Sequence, residues 1–525
     1  MRGRDLAGTG GGAAGGQAAD DGGRVSQGTQ SQQRSETGVS ARKGTRRQDL
    51  REARSPGRSV PRAPQADNIA PARRISYQIL LQMATSDAHS DELLRLPEVD
   101  ALSEPDRHLT TTLVLGTLRW QLALDARIRE LLSRPEMKLS AEVATALRMA
   151  AYQLLYLDRV PAHAVLHDSV ELVKLGRERG AAGMVNAVLR GIQRSALSVQ
   201  RSEKQRIAES GQRSGDSSQA ALIAAQFAHP AWMVERWVRR YGVEAAAAIC
   251  RWDQEPAALA LRAKPGTEFA GIETEPGAFL AGARRVVRGD VGRSEAVRSG
   301  EIRMQDEGSQ LIAEEAAAAR TGSARVLDLC AAPGGKTAIL AERLPGAEIT
   351  AVDVSRSRLA AMRKRMPPAI AERMRFVVSD AAKTELQPEW DVILCDVPCS
   401  GTGTMARNPE IRLRVTGEDL ARQHARQAAI LRAGLKGLKP GGRLVYSTCS
   451  LEPEENEQVV SEVLGMIAGF RVVPVSSVLD ALAGSGVLTA EGRERLRTAT
   501  DGDFLQTLPG VHPCDGFFAA VVERI

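Results

Sequence analysis

Aromatic residues are scarce: Phe, Trp and Tyr make up only 3% of the 525 residues. Any core must therefore be packed with aliphatic side chains and alanine, and with 43% hydrophobic residues the supply is ample. No uninterrupted apolar run of about 18 residues occurs, which excludes an ordinary membrane-spanning helix and argues against a membrane partner. Met1 to Gly23 are rich in Gly and Ala but carry no apolar stretch of the kind that directs secretion. Cysteine is sparse as well. Six in a chain of this length do not build a disulfide framework; they read as reduced thiols of a cytoplasmic protein, some of them chemically active.

Charge of one sign is also nearly missing. Lys and Arg number 70 against 64 Asp and Glu, and residues 1–62 alone hold 12 basic and 6 acidic residues, leaving 58 of each beyond them. Net charge thus says little about a nucleic-acid partner, and any basic face must be local.

At roughly 150 residues per domain, the length allows about three domains. Residues 1–67 are poor in Leu, Ile and Phe and dense in Gly, Ser, Gln and Arg, which predicts a disordered basic tail. Arg42, Lys43, Arg46, Arg47 and Arg51 there could touch RNA phosphates or simply be solvated. From residue 68 to 194, apolar positions recur at helical spacing (Ile75, Ile79, Met83; Leu109, Leu113; Val143, Leu147, Ala151, Leu155), so an all-α domain is expected. Residues 195–224 are polar and without period, the pattern of a linker or exposed insertion. Between 225 and 303, helical stretches mix with short strand-like pieces such as Ala258–Arg262 and Arg284–Arg288, which predicts a small α+β domain. From 304 to 525, apolar runs (Val326–Leu329, Ile349–Val352, Met374–Val378, Val392–Leu394, Arg443–Tyr446) alternate with amphipathic stretches. That alternation predicts an α/β domain around a mainly parallel, doubly wound sheet.

The first of those runs leads directly into Cys330-Ala331-Ala332-Pro333-Gly334-Gly335-Lys336-Thr337. A glycine-rich turn opening a helix lets backbone N–H groups approach a ligand. The spacing fits neither a P-loop, where the first glycine would fall at Cys330, nor the Gly-x-Gly-x-x-Gly dinucleotide fingerprint. Asp353, at the end of the next run, is placed to accept from ribose hydroxyls. Asp380 follows the third run and suits a polar contact to an adenine. Asp396 follows the fourth. With Asp328, these put four carboxylates at strand ends on one edge of the sheet. Phosphate is a poor guest there and a cationic sulfonium a good one, which favours S-adenosylmethionine over NAD or ATP.

Cys399 (in Asp396-Val397-Pro398-Cys399) and Cys449 (in Ser447-Thr448-Cys449-Ser450) each follow a strand on that same edge. Cys250, Cys395 and Cys514 read as small buried hydrophobes. Neither Cys399 nor Cys449 has a Cys or His at metal spacing, so zinc is not expected. A thiol beside a methyl sulfonium suits pyrimidine chemistry. A thiolate adding to carbon 6 makes carbon 5 nucleophilic, Asp396 near ring N3 offsets the developing charge, and a base then removes the carbon 5 proton. Spacing alone does not say which cysteine attacks.

The runs Met304 to Gln310 (MQDEGSQ), Asp328 to Lys336 (DLCAAPGGK), Asp396 to Gly401 (DVPCSG), Arg407 to Glu410 (RNPE) and Ser447 to Asn456 (STCSLEPEEN) resemble the RsmB/Sun-type RNA cytosine-C5 methyltransferases. The helical region, with Asp106-Arg107, Leu147-Arg148, Tyr152-Gln153-Leu154 and Asn186 to Arg190, resembles the NusB-like RNA-binding domain that precedes the catalytic part in bacterial members. The resemblance implies a class I (Rossmann-like) methyltransferase fold, with S-adenosylmethionine held by Cys330 to Lys336, Asp353, Asp380 and Asp396, and no metal. It implies Cys449 as nucleophile and Cys399 as the thiol that releases the adduct, with Cys399 as the other possible nucleophile. It implies a cytosine of 16S rRNA as target, in naked rRNA or an early small-subunit intermediate, and a monomeric enzyme. Two stretches depart from the family pattern: Leu261-Arg262-Ala263-Lys264 lacks an Asn, and Arg412-Leu413-Arg414 stands where relatives carry a Lys-Trp pair. Both are candidate RNA contacts. The competing readings are a tRNA cytosine methyltransferase, which would use the same chemistry, and a non-catalytic NusB-like RNA-binding factor, which would not need both thiols.

Overall fold

The computed structural model describes residues 69–176, 178–209, 216–264, 266–319 and 323–525. The expected tail over residues 1–67 lies outside these residues, as do residues 210–215 of the expected linker.

Helices Pro71–Thr85, Glu104–Leu131, Ala141–Tyr156, Ala162–Leu175 and the first part of Ala182–Glu209 surround one aliphatic core. Ile79, Leu113, Leu147, Val165 and Leu189, one from each helix, are fully buried in it. Serine starts two of the helices: Ser103 and Ser140 accept the N–H groups of Asp106 and Val143 at 3.3 and 3.4 Å. A Cβ on Gly116 would lie 2.0 Å from Tyr152 Cζ, so only glycine lets those two helices approach so closely. Buried Arg73 donates to Gln153 and Asp168 at 2.7 and 2.8 Å, tying three helices together.

The stretch expected as a linker is largely helical. The chain continues as helix to Glu209 and resumes as helix Asp216–Gln226. Ala220, Ile223 and Ala224 of that second helix are buried against Met233, Val234 and Trp237 of helix Ala231–Trp252. Gln, Arg, Glu, Lys and Ala are strong helix formers, so a polar composition here conceals a helix rather than excluding one. Helix Asp216–Gln226 thus packs with the first helix of the region expected as a small α+β domain. The sheet of that region is antiparallel: β1 (Ala260–Ala263), β2 (Glu273–Pro276), β3 (Ala283–Arg288) and β4 (Ile302–Met304), in the order β2-β3-β1-β4.

The C-terminal half is built on β5 (Arg325–Asp328), β6 (Glu348–Asp353), β7 (Met374–Val378), β8 (Trp390–Asp396) and β9 (Leu438–Thr448), which run parallel in the order β9-β8-β5-β6-β7. Strands β10 (Phe470–Val473), β11 (Thr500–Asp501), β12 (Phe504–Gln506) and β13 (Phe518–Arg524) add an antiparallel edge, with β13 paired to β9. Side chains alternate between two buried faces. Val326, Leu394 and Val445 pack with Leu311 and Ile312 on one face, while Leu327, Ile393 and Leu444 pack with Ile430 and Leu431 on the other. Strand order reverses between β5 and β8, where open α/β sheets take ligands at their carboxyl ends. No helix among the described residues is long and apolar enough to cross a membrane.

Candidate active site

After β5 the chain makes the turn Cys330–Pro333, with a cis Ala332–Pro333 peptide, and reaches Gly334, whose φ of 102° caps helix Gly335–Arg343. Space and conformation both require glycine there, because a Cβ would lie 2.7 Å from Met362 Cγ. Ala331 N–H donates to the Val352 carbonyl at 2.8 Å and pins the turn to β6. Asp353, buried at the end of β6, accepts from Ala332 N–H at 3.2 Å and Ser355 N–H at 2.8 Å. Asp380, just beyond β7, accepts from Ala382 N–H at 3.1 Å.

Asp328 behaves differently from the other acids. One of its oxygens accepts from Thr337 Oγ1 at 2.6 Å, the other has no partner within hydrogen-bond distance and angle among the described residues, and burial pushes its carboxyl up to about 7. The result is a cradle at the carboxyl ends of β5, β6 and β7 that is rich in acceptors. A sulfonium cofactor fits that donor set, and the unpartnered Asp328 oxygen is consistent with a cationic or hydrogen-donating guest; a phosphate does not fit.

The second half of the site comes from the neighbouring strands β8 and β9. Their register sets Asp396 opposite Ser447, and the loops that follow carry Cys399 and Cys449, whose sulfurs lie 3.4 Å apart. The loops are laced together: Gly403 N–H donates to the Cys449 carbonyl at 2.9 Å, Leu451 N–H donates to Thr402 Oγ1 at 2.9 Å, and the Ser400 and Ser450 hydroxyls are 3.2 Å apart. The hydrogen bond to Cys449, then burial and the nearby Glu455 charge, push the Cys399 thiol well up. Asp396 is gripped from two sides, by Lys336 Nζ and Ser447 Oγ, each at 2.8 Å. Lys336, expected in the cofactor cradle, is thus turned towards Asp396, with its ammonium 5.1 Å from the centre of the Phe517 ring. Cys250, Cys395 and Cys514 are buried, as small hydrophobes should be. Cys330 is half-buried, its thiol raised by desolvation.

Sequence reasoning overlooked Glu455. Fully buried, it accepts from Ser400 N–H at 2.8 Å, from Gln427 Nε2 at 3.1 Å and from the Ser400 hydroxyl, and so holds the residue next to Cys399. Nothing in the run Glu452-Pro453-Glu454-Glu455 separates it from Glu452 and Glu454, which face Arg236 instead. In the two stretches expected as candidate RNA contacts, the arginines turn inward, while Lys264 stays exposed. Arg412 is 2% exposed and donates to the carbonyls of Arg119 and Asp253, while Arg414 donates to those of Met83 and Ala88. Arg262 is paired with Glu314 at 2.7 Å. These arginines fasten parts of the protein to each other, because a guanidinium with several donors satisfies buried carbonyls as readily as phosphates.

A family model described as 16S rRNA methyltransferase RsmB/F matches residues 317–523, and the NusB family model matches residues 70–194. The chain is 32% identical over 469 residues to the probable ribosomal RNA small subunit methyltransferase B of Bacillus subtilis, covering 86% of this chain and 98% of that one. It is 33% identical over 440 residues to ribosomal RNA small subunit methyltransferase B of Xanthomonas campestris, covering 81% and 90%. Among solved structures, the crystal structure of PH0851 superposes with a TM-score of 0.67 at 20% identity, covering 87% of this chain and 99% of that one, a likeness of fold. With the glycine turn, the acid-lined strand ends and the helical domain all in their places, the chain belongs to the RsmB/F family of 16S rRNA methyltransferases.

Proposed function

We propose that the protein methylates carbon 5 of a cytosine in 16S rRNA through a transient bond between Cys449 and the base. The observation that carries this reading is the pair of thiols 3.4 Å apart beside Asp396, on the strand ends next to the acceptor-rich cradle. S-adenosylmethionine, held by Cys330 to Lys336, Asp353, Asp380 and Asp396, supplies an electrophilic methyl group when bound.

The remaining steps belong to the chain. Cys449 loses its proton to solvent and its sulfur bonds to carbon 6, so that the 5,6 double-bond pair becomes available at carbon 5. Asp396, braced by Lys336 and Ser447, meets ring N3 through a shared proton, which moves onto N3 as negative charge develops there and returns to Asp396 when the 5,6 double bond is restored. Once the Cys449 sulfur is bonded to carbon, it no longer holds the Cys399 proton in a hydrogen bond as a thiolate, nor repels a second charge. Cys399 then releases its proton to solvent more readily than before, and its thiolate takes the carbon 5 proton. The C5–H pair restores the 5,6 double bond, and the C6–S bond breaks with its pair returning to Cys449. One proton leaves per methyl group transferred. A target carbon inside a stacked helix is out of reach, so the cytosine must be unpaired or extruded, which naked rRNA or an early assembly intermediate permits more readily than a finished subunit.

The names of the relatives and the NusB-family domain favour 16S rRNA over tRNA. Cys449→Ala should abolish methyl transfer while leaving the fold intact. Cys399→Ala should accumulate protein covalently bound to RNA, seen as a retarded band on a denaturing gel. A trapped band from Cys449→Ala and none from Cys399→Ala would reverse the two roles. Mapping 5-methylcytosine in rRNA and tRNA from cells with and without the protein tests the substrate: loss of a 16S signal supports the proposal, and loss only in tRNA refutes it.

A further inference from the structure

Beyond Gly403 the Cys399 loop runs straight into Met405–Arg414, and remote parts of the chain grip that segment. Glu410, 1% exposed, takes the Ser90 N–H at 3.0 Å and the Ser90 hydroxyl at 3.1 and 3.0 Å on its two oxygens. Arg119 donates to the Ala406 carbonyl at 2.7 Å, and Arg414 reaches back to the Ala88 carbonyl at 2.8 Å. Ser90, Arg119 and Ala88 all belong to the helical half. On its other side the segment folds against the catalytic loop. The Thr404 carbonyl accepts from the Arg407 and Asn408 N–H groups at 3.0 Å each, and Ile411 Cδ1 lies 3.0 Å from where a Cβ on Gly401 would be. The loop itself is tied to Cys449 through Gly403.

We infer that Glu410 is a positioning residue: held by Ser90, it fixes the Cys399 loop against Cys449, so that the seating of the helical domain sets how fast Cys399 resolves the RNA adduct. This rests on the proposed roles of the two thiols. The physical ground is that the Glu410 carboxylate is the joint between this segment and Ser90: removing it frees the segment outright, and removing the Ser90 hydroxyl while the Ser90 N–H stays loosens it. Either change lets the segment, and with it the loop, move out of place. Small displacements of a reacting group are enough to slow a proton transfer.

The test uses the full-length chain with 16S rRNA and S-adenosylmethionine, comparing Glu410→Ala, Glu410→Gln, Ser90→Ala and Cys399→Ala. Glu410→Ala should build up the covalent protein–RNA band, with turnover down roughly tenfold to a hundredfold and the KM for RNA nearly unchanged. Glu410→Gln keeps an acceptor oxygen for Ser90 and should restore turnover. Ser90→Ala, which leaves Glu410 in place, should show the same band more weakly, and it serves as the readout if Glu410→Ala does not fold. A raised KM with no band in either Glu410→Ala or Ser90→Ala would mean that the contact only docks the domain, and would overturn the inference. Absence of a band from Cys399→Ala would instead overturn the thiol roles on which it rests.

Discussion

Replacing Cys449 with serine removes one sulfur of a pair 3.4 Å apart and isolates what that neighbour does to Cys399. Two thiolates at that distance repel by about 5 kcal/mol at an effective dielectric of about 20. The pair is half-buried, so solvent screens part of this, and the Cys399 profile should move clearly towards lower pH. The sign follows from which form the neighbour disfavours. A charged sulfur that accepts the Cys399 S–H disfavours the Cys399 thiolate, so removing it lets Cys399 ionise at lower pH. Burial and Glu455 remain, so the thiol stays above its ordinary range. The assay is the rate of Cys399 alkylation by iodoacetamide, followed by mass spectrometry of its peptide from neutral to alkaline pH in both proteins. Superimposable profiles would refute the reasoning, and with it the idea that adduct formation at Cys449 is what readies Cys399 for its step.

Other consequences concern the scaffold. Glu315 is fully buried with neither oxygen partnered among the described residues, and burial pushes it up to about 8. Its folded-state value lies above its unfolded one, so its contribution to stability is whole below the ordinary glutamate range and is lost as pH rises towards 8. Glu315→Leu should therefore raise the urea midpoint more at pH 8 than at pH 5, and an equal gain at both would contradict this. Arg412→Ala removes a buried guanidinium that serves two carbonyls, and should cost about 3–5 kcal/mol by denaturant titration; a loss under about 1 kcal/mol would show the joint to be dispensable. Gly334→Ala should weaken S-adenosylmethionine binding by about 1–3 kcal/mol in calorimetry, since the new Cβ strains the turn and meets Met362; unchanged affinity would place the cofactor elsewhere.

How much could be read beforehand varied with what each element depends on. Strands β5 to β9 are apolar runs bounded by Gly, Pro and Asp, and burial on both faces writes itself into composition. The turn at Gly334 was legible because a positive φ and a close approach leave glycine little alternative. The helix Asp216–Gln226 was not, since its few buried alanines sit in a stretch that also scores as coil. The antiparallel edge was missed for another reason: β11 and β12 are two and three residues long, too short for a period, and exist only because β13 offers them a partner. Within the site, residue types were readable and pairings were not. A lysine stem reaches in several directions, so its place in the glycine turn did not reveal that Lys336 turns to Asp396, and three glutamates in four positions carry no mark of which faces Ser400.

The distance between the two sulfurs follows from sheet register. Parallel neighbours lie about 4.8 Å apart, so loops leaving β8 and β9 at the same level bring their first residues within reach. Here Ile393 is opposite Leu444, Leu394 opposite Val445 and Asp396 opposite Ser447. A slip by one residue would turn Leu444 out of its buried layer and Val445 into the wrong one, at the cost of both cores. The same slip would part Asp396 from Ser447 and move Cys449 along the sheet away from Cys399. Aliphatic burial that holds the register therefore also holds the thiols in contact, and packing changes at Ile393 or Leu444 should reach the chemistry before they reach the fold.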